Sequence, residues 1–145
     1  MTRKDWALLV IAAAHGKAVS PVQLQKCLFL LGENLGAKER QTSKYYTFRA
    51  HDYGPFDRAI YDDAEELELE GLVLIYPEPS QTSRRYHATP AGLEHAQALR
   101  KGLGATATDY LDRVVPWARS LRFDELVRAI YRDYPDMKVN SVFRG

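Results

Sequence analysis

The side chains able to do chemistry in this chain are few and scattered. His51 and Asp52 are adjacent, an imidazole beside a carboxylate, the pairing used to hold a metal or activate water. Such sites need further ligands at set spacings. His15, His87 and His95 stand apart, and neither H-x-x-x-H nor H-E-x-x-H occurs. The single cysteine, Cys27, excludes an internal disulfide and a cysteine-based metal cluster. It falls on an apolar helical stripe, where a thiol packs as a small hydrophobe. Gly102-Leu103-Gly104 lacks the following glycine and the preceding strand of a phosphate-binding loop. The sequence therefore predicts a non-enzymatic protein with no catalytic residues, no metal and no cofactor. An enzyme built on His51 and Asp52 ranks behind two binding readings.

Those readings come from charge and aromatic content. The 145-residue chain has a net charge of only +1, so it is not a polyanion binder by overall charge. Its charges are unevenly laid out. Residues 1–50 carry eight Lys or Arg against three acids, a balance of +5. Residues 55–71 carry seven acids against Arg58, a balance of −6. Phosphate neutralisation drives DNA binding, so an acidic helix is repelled by DNA, whereas a basic protein surface complements it. The nine tyrosines suit an interface, because each joins apolar area to a polar tip. The first reading is therefore a protein-binding surface made by Tyr53, Phe56, Asp62, Glu65, Glu66 and Glu68. The second is a DNA-binding regulator, acting as a homodimer, with Lys38, Arg40, Lys44, Arg58, Arg84 and Arg85 on phosphates.

Elements must position these groups. Thr2 and Asp5 open a helix over 5–15, with Trp6, Leu9, Val10, Ala13 and Ala14 as its core face. Ser20, Pro21 and Gln23 open a second helix, with Val22, Leu24, Cys27, Leu28, Leu30 and Leu31 as its stripe. Residues 37–44 read as an exposed basic loop, and 45–49 as a short strand or extended segment. A helix starts near Pro55 and stops at Gly71, with Phe56, Ile60, Ala64 and Leu67 inward and its acids mostly toward water. Strand 72–76, a polar loop over 77–83 and strand 84–88 follow. Thr89-Pro90 starts a helix over 91–101, a further helix over 108–120 is bent or interrupted near Pro116, and the last spans 123–133. Val142 and Phe143 pack back on the body.

Helix, strand, loop, strand is winged-helix order. The fold predicted is mainly α with a small antiparallel β-hairpin. It comprises a winged helix-turn-helix-like domain over 1–101 and a helical C-terminal extension over 102–145 packed on it as one structural domain. A chain of this length buries roughly two-thirds of its unfolded surface, enough for a core without staples. The apolar runs 6–14 and 27–31 fall short of the roughly 20 residues of a membrane span. No membrane partner and a cytoplasmic location are expected.

Two segments together resemble the Panacea domain of SocA-like bacterial antitoxins and proteolytic adaptors. One is Leu24-Gln25-Lys26-Cys27-Leu28-Phe29-Leu30. The other is the Tyr53-Gly54-Pro55 turn after an aromatic segment, with Ile60-Tyr61 and Gly71 downstream. The resemblance covers about residues 5–100. It implies a small, helical, winged-helix-like protein that neutralises or presents a protein partner, toxin-like or protease-adaptor-like, by direct contact. It supplies no catalytic positions. Residues 102–145, with Ile130-Tyr131-Arg132-Asp133-Tyr134-Pro135, depart from the pattern.

Overall fold

An apolar helix lies at the centre of the fold. In the computed structural model, which describes residues 1–77 and 83–144, α1 (Arg3–Ala12) is buried on every side from Trp6 to Ala12. A helix apolar all round must be enclosed. The enclosing elements are α2 (Pro21–Asn34), α4 (Ala59–Leu69), α5 (Pro90–Lys101), α6 (Ala105–Ser120) and strand β4 (Arg85–Ala88). The remaining elements are the one-turn helix α3 (Ala37–Arg40), strands β1 (Arg49–His51), β2 (Gly54–Phe56) and β3 (Val73–Tyr76), helix α7 (Phe123–Asp133) and a 3-10 turn, Pro135–Lys138. The described residues are thus mainly helical, with two small antiparallel hairpins, β1–β2 and β3–β4.

The predicted caps form. Thr2 and Asp5 exchange side-chain-to-amide bonds of 3.1 and 2.9 Å, and Ser20 and Gln23 exchange bonds of 3.2 and 2.9 Å. Thr89 Oγ1 accepts from Gly92 N at 3.0 Å. Gly71 has φ +78, which suits glycine, and Gly71 N and Leu72 N close the end of α4 on the carbonyls of Glu68 and Leu67. Strands β3 and β4 pair in register from Val73↔Ala88 to Tyr76↔Arg85. Val73 and Ile75 face the core, and Leu74 and Tyr76 face out. Val19, between α1 and α2, extends this sheet through two 2.9 Å bonds with Tyr86. Of the polar loop predicted over 77–83, residues 78–82 lie outside the described residues.

Three expectations are corrected. Helix α4 starts at Ala59, not Pro55, because residues 54–56 pair with 49–51 as a hairpin strand. Gly54 takes φ +107, and Asp57 Oδ1 accepts from Ala59 N at 2.9 Å, so the helix begins only after Asp57. Of residues 45–49, read as a short strand or an extended segment, Arg49 enters β1 and 45–48 lie outside any strand, with the rings of Tyr45, Tyr46 and Phe48 packed on one another and on Phe29. The segment 37–44 contains α3, and Arg40 is buried, not exposed. Helix α6 runs unbroken through Pro116 from Ala105: the carbonyl that the proline leaves without its helical donor belongs to Asp112, on the exposed face.

Leu111, Val114, Val115 and Ala118 of α6 and Leu126 and Ile130 of α7 belong to the same apolar cluster as Leu24, Leu28 and Leu31 of α2. At the tail, Val142 N donates to Asp52 O at 3.0 Å and Asn140 Nδ2 to Ala50 O at 3.2 Å, while Phe143 sits 6.3 Å from both Phe123 and Tyr131.

The start of α5 docks against the chain at Leu72 so closely that a Cβ on Gly92 would lie 1.9 Å from Leu72 O. Backbone cannot retreat as a flexible side chain can. Gly92→Ala is therefore expected to destabilise the fold by more than about 2 kcal/mol in urea unfolding, whereas Gly102→Ala, at φ −87 with its Cβ an ordinary 3.6 Å from Leu99 O, should stay within about 0.5 kcal/mol.

Candidate functional site

Two consecutive polar residues interrupt the apolar stripe of α2, and both are buried: Gln25 is 1% exposed and Lys26 3%. Gln25 clasps the backbone of Asp57, donating from Nε2 to Asp57 O at 2.9 Å and accepting from Asp57 N at 3.0 Å. Lys26 Nζ donates to Pro55 O at 3.0 Å. Asp57 is thereby fixed, and its carboxylate ties Thr47 N at 2.7 Å to the start of α4. Helix α2 thus holds the β1–β2 hairpin on one side and orients α4 on the other.

Between these three elements and Phe123 of α7 opens a cleft of about 410 Å³. The rings of Tyr53, Phe56, Tyr61 and Phe123 line it among polar and charged side chains. Tyr53 meets Phe123 edge-to-face at 5.0 Å, Phe56 meets Tyr61 at 5.6 Å, and His51 stacks on Phe56 at 4.6 Å. Lys26 and Gly54 line it together. Asp52, Arg58, Asp62 and Glu65 bring charge to it. A larger hollow of about 530 Å³ lies between α1, α5 and α6, walled by Leu9, Leu93, Arg100 and Asp112 among others, and none of the predicted contact residues lines it.

The protein-contact set divides. Tyr53, Phe56, Asp62 and Glu65 line the one cleft. Glu66 and Glu68 do not: Glu66 lies 3.4 Å from Lys4 Nζ, and Glu68 Oε2 accepts from Ile75 N at 2.9 Å. Asp63, expected toward water, is buried, with its Oδ2 taking the Tyr46 hydroxyl at 2.6 Å and Arg3 Nε at 3.3 Å. Burial and that carboxylate push the Tyr46 hydroxyl far above the ordinary tyrosine range. Glu70 pairs with Lys4 at 2.8 Å.

The DNA-contact set divides as well. Lys38, Lys44, Arg58 and Arg85 are exposed. Arg40 is corrected: its guanidinium enters the C-terminal end of α2, donating to Leu35 O and, at 3.3 Å, to Gly32 O, and lies 4.6 Å over the Tyr45 ring. A cation there answers the negative end of the helix, so Arg40 is a capping residue out of reach of phosphate. Arg84 reaches Glu65 at 3.5 Å, and Arg85 bonds the carbonyls of Ser83 and Arg84.

His51 Nδ1 lies 3.9 Å from Asp52 Oδ1, with both side chains more than half exposed. Among the described residues no group of three His, Cys, Asp or Glu gathers as a metal site, and no helix is long and apolar enough to cross a membrane. Cys27 is buried, and burial pushes its thiol up to about 12.

In comparisons with known proteins, the chain matches no family model, no curated protein and no solved structure.

Gln25 and Lys26 are the site residues that the sequence reading missed. The signal was present. On a helical wheel Lys26 falls among Val22, Phe29 and Leu30, and Gln25 falls beside Leu28 and Phe29, so both point into apolar surroundings. Polar groups there must find backbone partners.

Burial lowers the Lys26 amine from the ordinary lysine value of 10.5 to about 7. Between those values the unfolded chain binds a proton that the folded chain does not. Stability from this group is therefore lowest and flat below pH 7, and rises as pH climbs from 7 toward 10.5. Urea unfolding from pH 7 to about pH 9 should show the native chain gaining roughly 1–2 kcal/mol relative to Lys26→Met, which abolishes the titration. Parallel pH curves for the two proteins would refute the buried amine.

Proposed function

We propose that this protein is a non-enzymatic binding module whose cleft takes a basic segment of a protein partner. The observation that carries the reading is the convergence of Tyr53, Phe56, Asp62 and Glu65 on one aromatic cleft. Aromatic side chains in a recess give anchoring area, and carboxylates at its edge select and steer a cation. The reading narrows the acidic surface. Glu66 and Glu68 lie off the cleft and serve the fold, whereas Asp62 and Glu65 line it, Glu65 exchanging its exposed pair with Arg84 for the partner's cation.

We read the body as a winged helix: α1, the Val19 bridge, α2 and α4, then β3–β4 as the wing. The Val19–Tyr86 pairing supports this, because it makes the hairpin a three-stranded sheet fed from between the first two helices. A Panacea-type, SocA-like antitoxin or proteolytic adaptor acting in the bacterial cytoplasm fits the same arrangement. Its two quoted segments touch here, through Lys26 on Pro55. The partner would then be a toxin or a protein delivered to a protease.

A DNA-binding regulator is the second reading, favoured by the exposed Lys38, Lys44 and Arg58. Against it stand the buried Arg40 and the Arg84–Glu65 pair.

Affinity capture from the native cell should recover one protein. Asp62→Lys with Glu65→Lys should weaken that complex at least about tenfold by calorimetry, as should Tyr53→Ala, whereas Glu66→Gln should leave it within about threefold. If the Asp62/Glu65 reversal leaves the complex intact, the cleft is not the interface. Mobility shift across a salt series tests the other reading: binding that falls steeply with salt, and further on changing Arg84 and Arg85 to Ala, would favour DNA.

A further inference from the structure

We propose that Lys26 is a nucleophilic amine that forms a reversible imine with a small, neutral carbonyl compound held in the cleft. The inference goes beyond partner binding and does not need a partner. Four observations carry it. The amine is enclosed, with Lys26 only 3% exposed, yet it lines the cleft. Among the described residues its acceptor is Pro55 O at 3.0 Å, and it forms no ion pair with a carboxylate. Holding one N–H in this way leaves the lone pair of the neutral amine uncommitted. The Gly54 backbone packs beside it: a Cβ there would touch Nζ at 3.7 Å and Cε at 3.5 Å and crowd Tyr131 Cε1 at 3.3 Å, so a side chain at 54 would stand against the amine. The remaining walls, Val22, Tyr53, Phe56 and Phe123, suit an aryl or alkyl group.

The charges at the cleft choose the carbonyl class. Asp52, Asp62 and Glu65 outnumber Arg58, so a keto acid or other anionic carbonyl is disfavoured. His51, Tyr53 and Tyr61 are the other titratable groups lining it beside Lys26, and Arg84 lies against Glu65 from outside. The step balances without an external oxidant or reductant. The Nζ lone pair adds to the carbonyl carbon, forming C–N, and the carbonyl oxygen takes a proton. The nitrogen then passes one hydrogen to the departing oxygen as C–O breaks, one water leaves, and the protonated imine keeps one N–H for Pro55 O. An amine must be unprotonated to attack. An ordinary lysine is almost wholly protonated at neutral pH, and the desolvation that lowers Lys26 to about 7 leaves much of it free.

The test traps the imine on the folded full chain. Benzaldehyde and cyanoborohydride are added at neutral pH, and peptide mass mapping locates the benzyl adduct. Lys26 should be labelled at least about tenfold faster than the exposed Lys38 and Lys44, and that advantage should vanish in urea. Glyoxylate, an anionic aldehyde, should label Lys26 at least about tenfold more slowly than benzaldehyde. Lys26→Arg should remove the fast adduct while circular dichroism reports a folded chain. Labelling of Lys26 no faster than of Lys38, or only after unfolding, would overturn the proposal; because this is read on the unaltered chain, it holds even if the variant does not fold. Equal rates for the two aldehydes would overturn the neutral-carbonyl assignment.

Discussion

The structure hangs on a clasp of three hydrogen bonds from one turn of α2. Gln25 satisfies both the N–H and the carbonyl of Asp57, and Lys26 satisfies the carbonyl of Pro55. Pro55 lies within β2, and Asp57 lies where the chain has left the hairpin and not yet entered α4; Asp57 O also accepts from Ile60 N at 3.2 Å, while Asp57 N and Pro55 O turn to α2. A buried amide or carbonyl left without a partner costs on the order of 1–3 kcal/mol. The clasp removes that cost, and in doing so fixes where the hairpin ends, where α4 begins and how wide the cleft between them opens. A lone two-stranded hairpin is marginal in water. Here α2 and the tail, through Val142 N and Asn140, hold its two ends.

The same clasp explains what was legible in the sequence and what was not. Caps depend on neighbours three residues away, so Thr2, Ser20 and Thr89 could be read directly. The glycine closing α4 and the alternation of β3 are equally local. The β1–β2 hairpin was not local. A glycine-proline pair before an acidic run resembles a helix start, and only the distant Gln25 makes Asp57 the boundary. Arg40 was misread for a similar reason: inside a polar stretch it looks exposed, but the end of α2 needs a cation, and Arg40 alone in that stretch reaches it. Lys26 was passed over because a charged residue on a stripe is ordinarily taken as the edge of the stripe.

Helix α4 shows how fold and recognition share one charged surface. Its −6 balance suggested a continuous acidic face. Asp63 is drawn inward by Tyr46 and Arg3, and Glu66 and Glu70 hold Lys4 of α1. These pairs bind α4 to the N-terminal helix, where the excess of basic charge lies. The opposite charges of the two segments therefore meet within the molecule, and the acids that remain at the cleft are few and placed. Exposed ion pairs of this kind contribute little individually, on the order of 0–1 kcal/mol, and their role is orientation more than stability.

The central claim is that Lys26 is buried against the hairpin as an amine with no counter-ion among the described residues, and that this both builds the cleft and gives it reactivity. The most direct measurement is the titration of the Lys26 side chain in the folded protein by heteronuclear NMR. The account predicts a midpoint near 7. A midpoint at the ordinary lysine value of 10.5 would mean that the amine is solvated or ion-paired, and would contradict it.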